Sequence, residues 1–167
     1  MAEGISLYLV RHAIAAERGD AFPDDSQRPL TSKGIDRFRE VVKALIDLDV
    51  EIDQVLTSPL VRARQTADVL AELLPARPPV IETDTLAPGA SFRSVVDMLA
   101  AYSRYARLAL VGHEPGIGEL AGRLIGARSP LPFKKGAVCR IDVDALPPAG
   151  PGRLIWFATP KMLRKLG

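Results

Sequence analysis

The chain contains only two histidines, His12 and His113. Each lies just after a short apolar run, Leu7–Val10 in one case and Leu108–Val111 in the other, and such runs are typical of buried strands. Ligands of open α/β sheets bind beyond the carboxyl ends of the strands. We therefore expect both imidazoles at one edge of a sheet, where a neutral ring nitrogen can act as a nucleophile or move a proton.

Several polar residues are placed to join these imidazoles. Arg11 precedes His12 and keeps its charge at physiological pH. Arg62 lies in the first turn of a helix that Ser58 and Pro59 would open as N-cap and first residue, and helix N-termini attract anions. Arg28, in the long loop before Thr31, is placed to reach back over the same crevice. Two arginines and two histidines near helix N-termini favour a compact anion, most naturally a phosphoryl group, with Arg28 and Ser58 as candidate substrate-binding residues.

Strand and helix patterns alternate along the first 125 residues. The predicted elements are strands at Ile5–Val10, Gln54–Thr57, Val80–Thr83 and Leu108–Val111, and helices at Thr31–Asp47, Ser58–Leu74, Phe92–Tyr102 and from Glu114-Pro115 onward. Ala137–Val143 and Arg153–Ala158 read as an antiparallel edge pair, and Lys161–Leu166 as a short basic helix. We predict an α/β fold, a three-layer sandwich with a mostly parallel central sheet, helices on both faces and an antiparallel C-terminal edge pair.

Composition excludes several classes of protein. A length of 167 residues predicts one domain over residues 1–167. The single cysteine, Cys139, excludes an internal disulfide framework and a cysteine-based zinc cluster. A net charge of +2 gives no reason to expect a nucleic-acid or membrane partner, and no apolar run is long enough to span a bilayer. Without a signal-like N-terminus, we expect a cytoplasmic protein, and no feature indicates its oligomeric state.

Three ordered motifs resemble those of the histidine phosphatase superfamily, which also includes the cofactor-dependent phosphoglycerate mutases. Leu9–Ala13 (LVRHA) is similar to the Arg-His-Gly motif of that family, Thr57–Ala67 (TSPLVRARQTA) to its second motif, and Val111–Pro115 (VGHEP) to its third. The short length and Arg28–Gly34 (RPLTSKG) most resemble the SixA-type phosphohistidine phosphatases. The resemblance spans about residues 7–126, and its three motifs in order make it specific.

The resemblance implies a mechanism. His12 would attack phosphorus to form a phosphohistidine intermediate that water then hydrolyses. Arg11, Arg62 and His113 would neutralise the oxygens of the transferring group. No metal and no cofactor are implied, because cationic side chains take that part. The expected partner is a phosphorylated protein bearing phosphohistidine, or a small phosphorylated metabolite.

The sequence departs from the family pattern at two positions. Ala13 stands where the family has glycine, and alanine is small enough to change little. Thr85 stands where related proteins can have a glutamate that protonates the leaving group. The other acids near the motifs are Glu17, Asp20, Asp84 and Glu114, and none is distinguished by its position. Because imidazole leaves more readily than an alkoxide, the missing acid favours phosphohistidine over alkyl phosphates as the substrate.

Two alternative functions stay open. A phosphatase of small phosphate monoesters would use the same motifs. A non-catalytic module that binds phosphorylated ligands would need the arginines but not His12, so the presence of both histidines favours an enzyme. Other phosphatase signatures are absent, since Cys139 is not followed by arginine at the required spacing and no phosphate-binding P-loop occurs.

Overall fold

The computed structural model describes residues 4–166. The strands are β1 (Ile5–Arg11), β2 (Gln54–Thr57), β3 (Val80–Glu82), β4 (Arg107–Gly112), β5 (Val138–Val143) and β6 (Arg153–Ala158). The α-helices are α1 (Ser32–Asp47), α2 (Val61–Leu73), α3 (Phe92–Leu99), α4 (Gly116–Leu124) and α5 (Pro160–Arg164). No helix within these residues is long and apolar enough to cross a membrane.

The six strands form one sheet in the order β3-β2-β4-β1-β5-β6. β1 pairs in parallel with β4, and β2 pairs in parallel with both β3 and β4. β5 runs antiparallel to β1, and β6 runs antiparallel to β5 at the edge. The predicted mostly parallel sheet with an antiparallel C-terminal pair is therefore confirmed. Because β1, β2 and β4 run parallel, their carboxyl ends lie at the same edge of the sheet.

Side chains alternate across the central strands and build a core on each face. On β1, Tyr8 and Val10 pack with residues of α1, α2 and α5, whereas Leu7 and Leu9 pack with residues of α3 and α4. This period of two is what a strand buried on both faces requires. The three-layer arrangement predicted from the sequence follows from it.

Hydroxyl side chains begin three of the helices. Thr31 accepts a hydrogen bond from the backbone N–H of Gly34 at the start of α1, as predicted. Ser91 and Thr159 cap α3 and α5 in the same way. Such caps each contribute about 1 kcal/mol by pairing a backbone donor that the helix leaves open.

The predicted start of α2 is wrong. We expected Ser58 as N-cap and Pro59 as the first helical residue, but the helix begins at Val61 and its N-cap, Leu60, makes no side-chain hydrogen bond. The Ser58 hydroxyl contacts the N–H of Leu60, within the turn, and also an imidazole discussed below. A contact with a residue distant in sequence thus replaces the local cap.

The remaining differences concern the lengths of elements. The third predicted helix ends at Leu99 and continues as a 3₁₀ turn over Ala100–Tyr102. α5 covers Pro160–Arg164 rather than Lys161–Leu166, because Thr159 caps it one residue earlier.

Candidate active site

The two histidines lie side by side at the carboxyl ends of β1 and β4. The backbone N–H of His12 donates to the carbonyl of Gly112, which extends the pairing of the two strands past their last residues. The centroids of the two imidazole rings are 5.2 Å apart, and each residue is only 5% exposed. The parallel register of β1 and β4 therefore brings together residues 101 positions apart in the sequence.

Hydrogen bonding fixes which nitrogen of His12 is free. Its Nδ1 lies 2.7 Å from the carbonyl oxygen of Ala13, which can only accept, so Nδ1 carries the proton. The lone pair is then on Nε2. Burial lowers the pKa of His12 to about 4, and the charges of Arg62 and Arg11 act in the same direction. At neutral pH His12 is an uncharged imidazole with an available nucleophilic nitrogen.

In His113 the hydrogen-bonded nitrogen is Nε2, and its partner is the hydroxyl of Ser58. The Ser58 hydroxyl oxygen accepts from the N–H of Leu60 at 3.2 Å and lies 2.8 Å from Nε2 of His113. Within residues 4–166, Nε2 is the only acceptor within reach of the Ser58 hydroxyl proton, so we infer that this proton points at Nε2 and that the N–H of His113 is on Nδ1. Burial lowers the pKa of His113 to about 3, with further lowering by His12 and Arg62. His113 is therefore a neutral hydrogen-bond donor.

Arg11 and Arg62 are each held in place by hydrogen bonds from their terminal Nη atoms. Arg11 donates from Nη1 to the carbonyl of Phe133 at 2.8 Å. Arg62 donates from Nη1 to the carbonyl of Asp25 at 2.8 Å and from Nη2 to the carboxylate of Asp25 at 3.0 Å. Burial is the largest influence on both groups and lowers the pKa of each, although both stay charged.

Three donors at this site are left without a partner. Within residues 4–166, the only buried side-chain nitrogen or oxygen atoms lacking a hydrogen bond are Arg11 Nε, Arg62 Nε and His113 Nδ1. Folded proteins pair nearly all buried polar groups, and leaving one unpaired costs about 1–3 kcal/mol. Three such donors beside one nucleophilic nitrogen form a site for an oxyanion.

Arg28 does not point into this cluster. It donates from Nε to the Asp25 carboxylate at 2.7 Å and from Nη1 to the carbonyl of Ala16 at 2.6 Å. Its bond to Asp25 is the largest cause of the lowered pKa of that carboxyl. Arg28 thus meets Arg62 through a shared carboxylate, and its part in binding substrate stays a prediction.

Sequence reasoning missed the residues that hold the segment after His12 in place. The hydroxyl of Thr66, on α2, accepts from the N–H of Ala13 at 3.0 Å and donates to the carbonyl of Arg62 at 2.8 Å. The N–H of Gly136 contacts the carbonyl of His12 at 3.0 Å. Thr66 falls four positions after Arg62 on the same helix, which is the one local signal that could have identified it.

A crevice of about 240 Å³ adjoins His113 and is lined by Thr85 and Glu114, among others. The Thr85 hydroxyl lies 3.0 Å from that of Thr83, and the Glu114 carboxylate accepts from the N–H of Gly118 at 2.7 Å. In the part of the chain that the structure describes, no three histidine, cysteine or acidic side chains are grouped as metal ligands would be.

Comparisons with known proteins agree with this geometry. A family model for the histidine phosphatase superfamily (branch 1) matches residues 7–87. The phosphohistidine phosphatase SixA of Escherichia coli (strain K12) is 30% identical over 162 residues, which cover 96% of this chain and 97% of that protein. An uncharacterised protein of Picosynechococcus sp. (strain ATCC 27264 / PCC 7002 / PR-6) is 44% identical over 121 residues, 70% of this chain and 71% of that one.

A solved structure also matches the fold over nearly its full length. The protein histidine phosphatase SixA in complex with tungstate aligns with a TM-score of 0.84 and 28% identity, covering 94% of this chain and 98% of that one. The sequence match to the Escherichia coli protein and the structural match therefore each cover more than nine-tenths of this chain. The chain therefore belongs to the histidine phosphatase superfamily, in its SixA-type branch, and is a hydrolase of that class.

Proposed function

We propose that the protein removes the phosphoryl group from phosphohistidine on a partner protein, through a covalent phosphohistidine at His12. The observation that carries the proposal is the set of three unpaired buried donors, Arg11 Nε, Arg62 Nε and His113 Nδ1, around a neutral His12. These donors match the oxygens of a phosphoryl group. The name of the Escherichia coli relative supports the same substrate class.

The first step transfers the phosphoryl group to the enzyme. The lone pair on Nε2 of His12 attacks phosphorus while the P–N bond of the substrate breaks. The departing imidazole of the substrate keeps that electron pair and takes up a proton from solvent. Arg11 and Arg62 offset the charge of the phosphoryl oxygens, and preorganised donors of this kind contribute about 2.7–4 kcal/mol each to the transition state.

The second step returns His12 to its starting state. A water oxygen attacks phosphorus, the P–N bond to His12 breaks, and inorganic phosphate leaves with the hydroxyl of the water. The second proton of the water is released to solvent, and the electron pair returns to Nε2. The Ala13 carbonyl keeps the proton on Nδ1 throughout, so the same nitrogen is free for the next cycle.

Leaving-group chemistry favours phosphohistidine over alkyl phosphates. An alkoxide needs a proton from a positioned acid, which contributes about 10²–10⁴-fold. Thr85, at the position where relatives can have glutamate, has a hydroxyl bonded to Thr83, and the nearby Glu114 carboxylate is bonded to the N–H of Gly118. Imidazole is a better leaving group and needs less help.

The deciding experiment compares kcat/KM for a phosphohistidine peptide with kcat/KM for sugar and glycerate phosphates. We expect the peptide to be preferred by at least about tenfold, as the missing acid implies. Thr85→Glu narrows the gap by raising turnover of the alkyl phosphates. Thr85→Gln introduces a side chain of the same size as glutamate but without an acidic proton, and should leave the ratio of the two kcat/KM values unchanged. Faster turnover of any sugar or glycerate phosphate by the unaltered enzyme would replace this proposal with a small-molecule phosphatase.

A further inference from the structure

A second and larger cavity opens beside the active site. It has a volume of about 620 Å³ and lies between the end of β1, helix α1, the loop before β5 and helix α5. We refer to it as the basic cavity. Its charged lining consists of six cationic residues, Arg11, Arg37, Lys134, Lys135, Lys161 and Arg164.

Almost none of this positive charge is neutralised. No acidic residue lines the basic cavity. Arg164 pairs with Glu40 at 3.7 Å, whereas Arg37, Lys134 and Lys161 form no ion pair with any carboxylate in residues 4–166. Uncompensated charge of one sign in a concave surface attracts ligands of the other sign.

The floor of the basic cavity is apolar. Ile14, Val41 and Pro160 contribute to it, and Phe38 closes it from below while remaining only 1% exposed. Apolar floor and charged rim together are typical of a surface that takes a side chain from a protein partner. No aromatic ring among the lining residues is exposed enough to stack on a nucleotide base, which disfavours nucleic acid.

The basic cavity is continuous with the catalytic groups. Arg11 lines it and also supplies one of the unpaired donors of the active site. Gly136, at its edge, donates a backbone hydrogen bond to the carbonyl of His12. A chain bound in the basic cavity therefore lies next to the phosphoryl group being transferred.

We propose that the basic cavity docks an acidic segment of the phosphohistidine protein, with an apolar side chain of that segment on the floor. This inference rests on the proposed function and specifies its substrate class. The cations come from four separate parts of the chain, so the footprint is wider than a single phosphoryl group. A charged rim of this kind raises affinity and association rate for acidic partners.

The test uses two synthetic peptides of equal length, each with one phosphohistidine. One has glutamate and leucine around it, and the other has glutamine in place of every glutamate. The unaltered enzyme should show a KM about tenfold lower for the acidic peptide, and raising the salt concentration should remove the difference. The double variant Arg37→Glu/Lys161→Glu should lose the preference, with turnover of free phosphohistidine unchanged.

The chain offers a matched control. Lys43, exposed on α1, and Lys165, exposed after α5, do not line the basic cavity. Lys43→Glu/Lys165→Glu changes the net charge from +2 to −2, as the test variant does, and should keep the preference for the acidic peptide. If the glutamate variant unfolds, Arg37→Gln/Lys161→Gln makes the same test, with a smaller loss expected.

The outcomes separate this inference from the proposed function. If the enzyme hydrolyses both peptides with equal KM, or if control and test variants behave alike, the docking proposal is wrong and the proposed function stands. If neither peptide is hydrolysed while sugar phosphates are, the proposed function fails instead. If a single-stranded oligonucleotide inhibits more strongly than the unphosphorylated acidic peptide, and the test variant abolishes that inhibition, the basic cavity serves nucleic acid and the docking proposal is overturned.

Discussion

Arg62 and Arg107 stand near opposite ends of the parallel strands and are held in opposite ways. Arg107, at the start of β4, bonds both carboxylate oxygens of Asp53 and also the carboxylate of Glu51. These bonds, led by the one to Asp53, raise the pKa of Arg107. Arg62, near the active site, shares the single carboxylate of Asp25 with Arg28 and has no partner for its Nε. Burial lowers its pKa.

This difference separates a structural arginine from one that awaits a ligand. Both side chains are fixed, but Arg107 has its donors occupied by carboxylates, whereas Arg62 keeps a donor open in a buried place. An unpaired buried donor lowers the free energy of unfolding of the free protein. A bound oxyanion pairs that donor and so stabilises the folded state. Both residues are arginines, so the difference between them lies in whether every donor of the guanidinium has a hydrogen-bond acceptor within the protein.

The largest effect should come from removing the nucleophile between the unpaired donors. His12→Ala should lower kcat by more than about 10⁴-fold, because no other group can form the covalent intermediate. Tungstate should still bind weakly, since Arg11 and Arg62 remain. Rapid quenching of the unaltered enzyme should yield an acid-labile phosphoryl label that His12→Ala lacks. Acid-stable labelling, or substantial turnover by the variant, would contradict the assignment.

Arg62→Gln and Arg107→Gln test the comparison directly. Arg62→Gln should lower kcat/KM by about 10²–10³-fold. We expect tungstate, a phosphate mimic, to raise the Tm of the unaltered protein and not that of Arg62→Gln. Arg107→Gln should keep kcat/KM within about twofold while lowering the free energy of unfolding by about 1 kcal/mol, because partly exposed ion pairs contribute little. Equal losses of activity in the two variants would show that the unpaired donor has no special role.

Lowering the pH should reduce the free energy of unfolding, because His12 and His113 are neutral in the folded protein and take up protons more readily in the unfolded chain. Their pKa values are about 4 for His12 and about 3 for His113 in the folded protein, against 6.5 as the ordinary value. Between pH 6.5 and 4 the unfolded chain binds more protons, so the free energy of unfolding falls as the pH falls. The loss should be on the order of 3 kcal/mol per histidine at pH 4, since each pKa unit corresponds to about 1.4 kcal/mol.

The matching variants isolate that contribution. In chemical denaturation at several pH values, His12→Gln and His113→Gln should each show a shallower decrease than the unaltered protein. Arg107→Gln should keep the original slope. Equal slopes in all proteins would mean that neither imidazole is held neutral.

The smallest effect is expected at Ser58, which acts through His113. Ser58→Ala removes the hydroxyl that holds the proton of His113 on Nδ1, and kcat should fall about tenfold with little change in KM. The ¹⁵N chemical shifts of His113 should report a mixture of tautomers in the variant. An unchanged spectrum with unchanged kcat would show that Ser58 has no positioning role.

The sequence predicted what depends on local pattern. Apolar runs located β1, β2 and β4, and the rule for α/β sheets then placed His12 and His113 together, as the fold shows. Thr31 was predicted as a cap because capping involves residues only a few positions apart.

Contacts between distant residues could not be derived in this way. Ser58 reads as a helix cap locally, yet its partner is His113, 55 positions away. The sequence indicated that Arg28 reaches over the crevice, but nothing nearby shows that Asp25 will bind both it and Arg62. The carbonyl of Phe133, which anchors Arg11 across 122 positions, has no sequence signal at all, because every residue has a carbonyl.

The strand that precedes His12, β1, pairs only with strands that come much later in the sequence. β1 ends at Arg11, but its two neighbours are β4, about 100 residues later, and β5, which ends at Val143. Closing loops of this length is slow relative to local structure, and chains emerge from the ribosome in order. A nascent chain that stops before β5 therefore has His12 but lacks one of the two strands that flank β1, so we expect hydrolytic competence only after β5 has been synthesised.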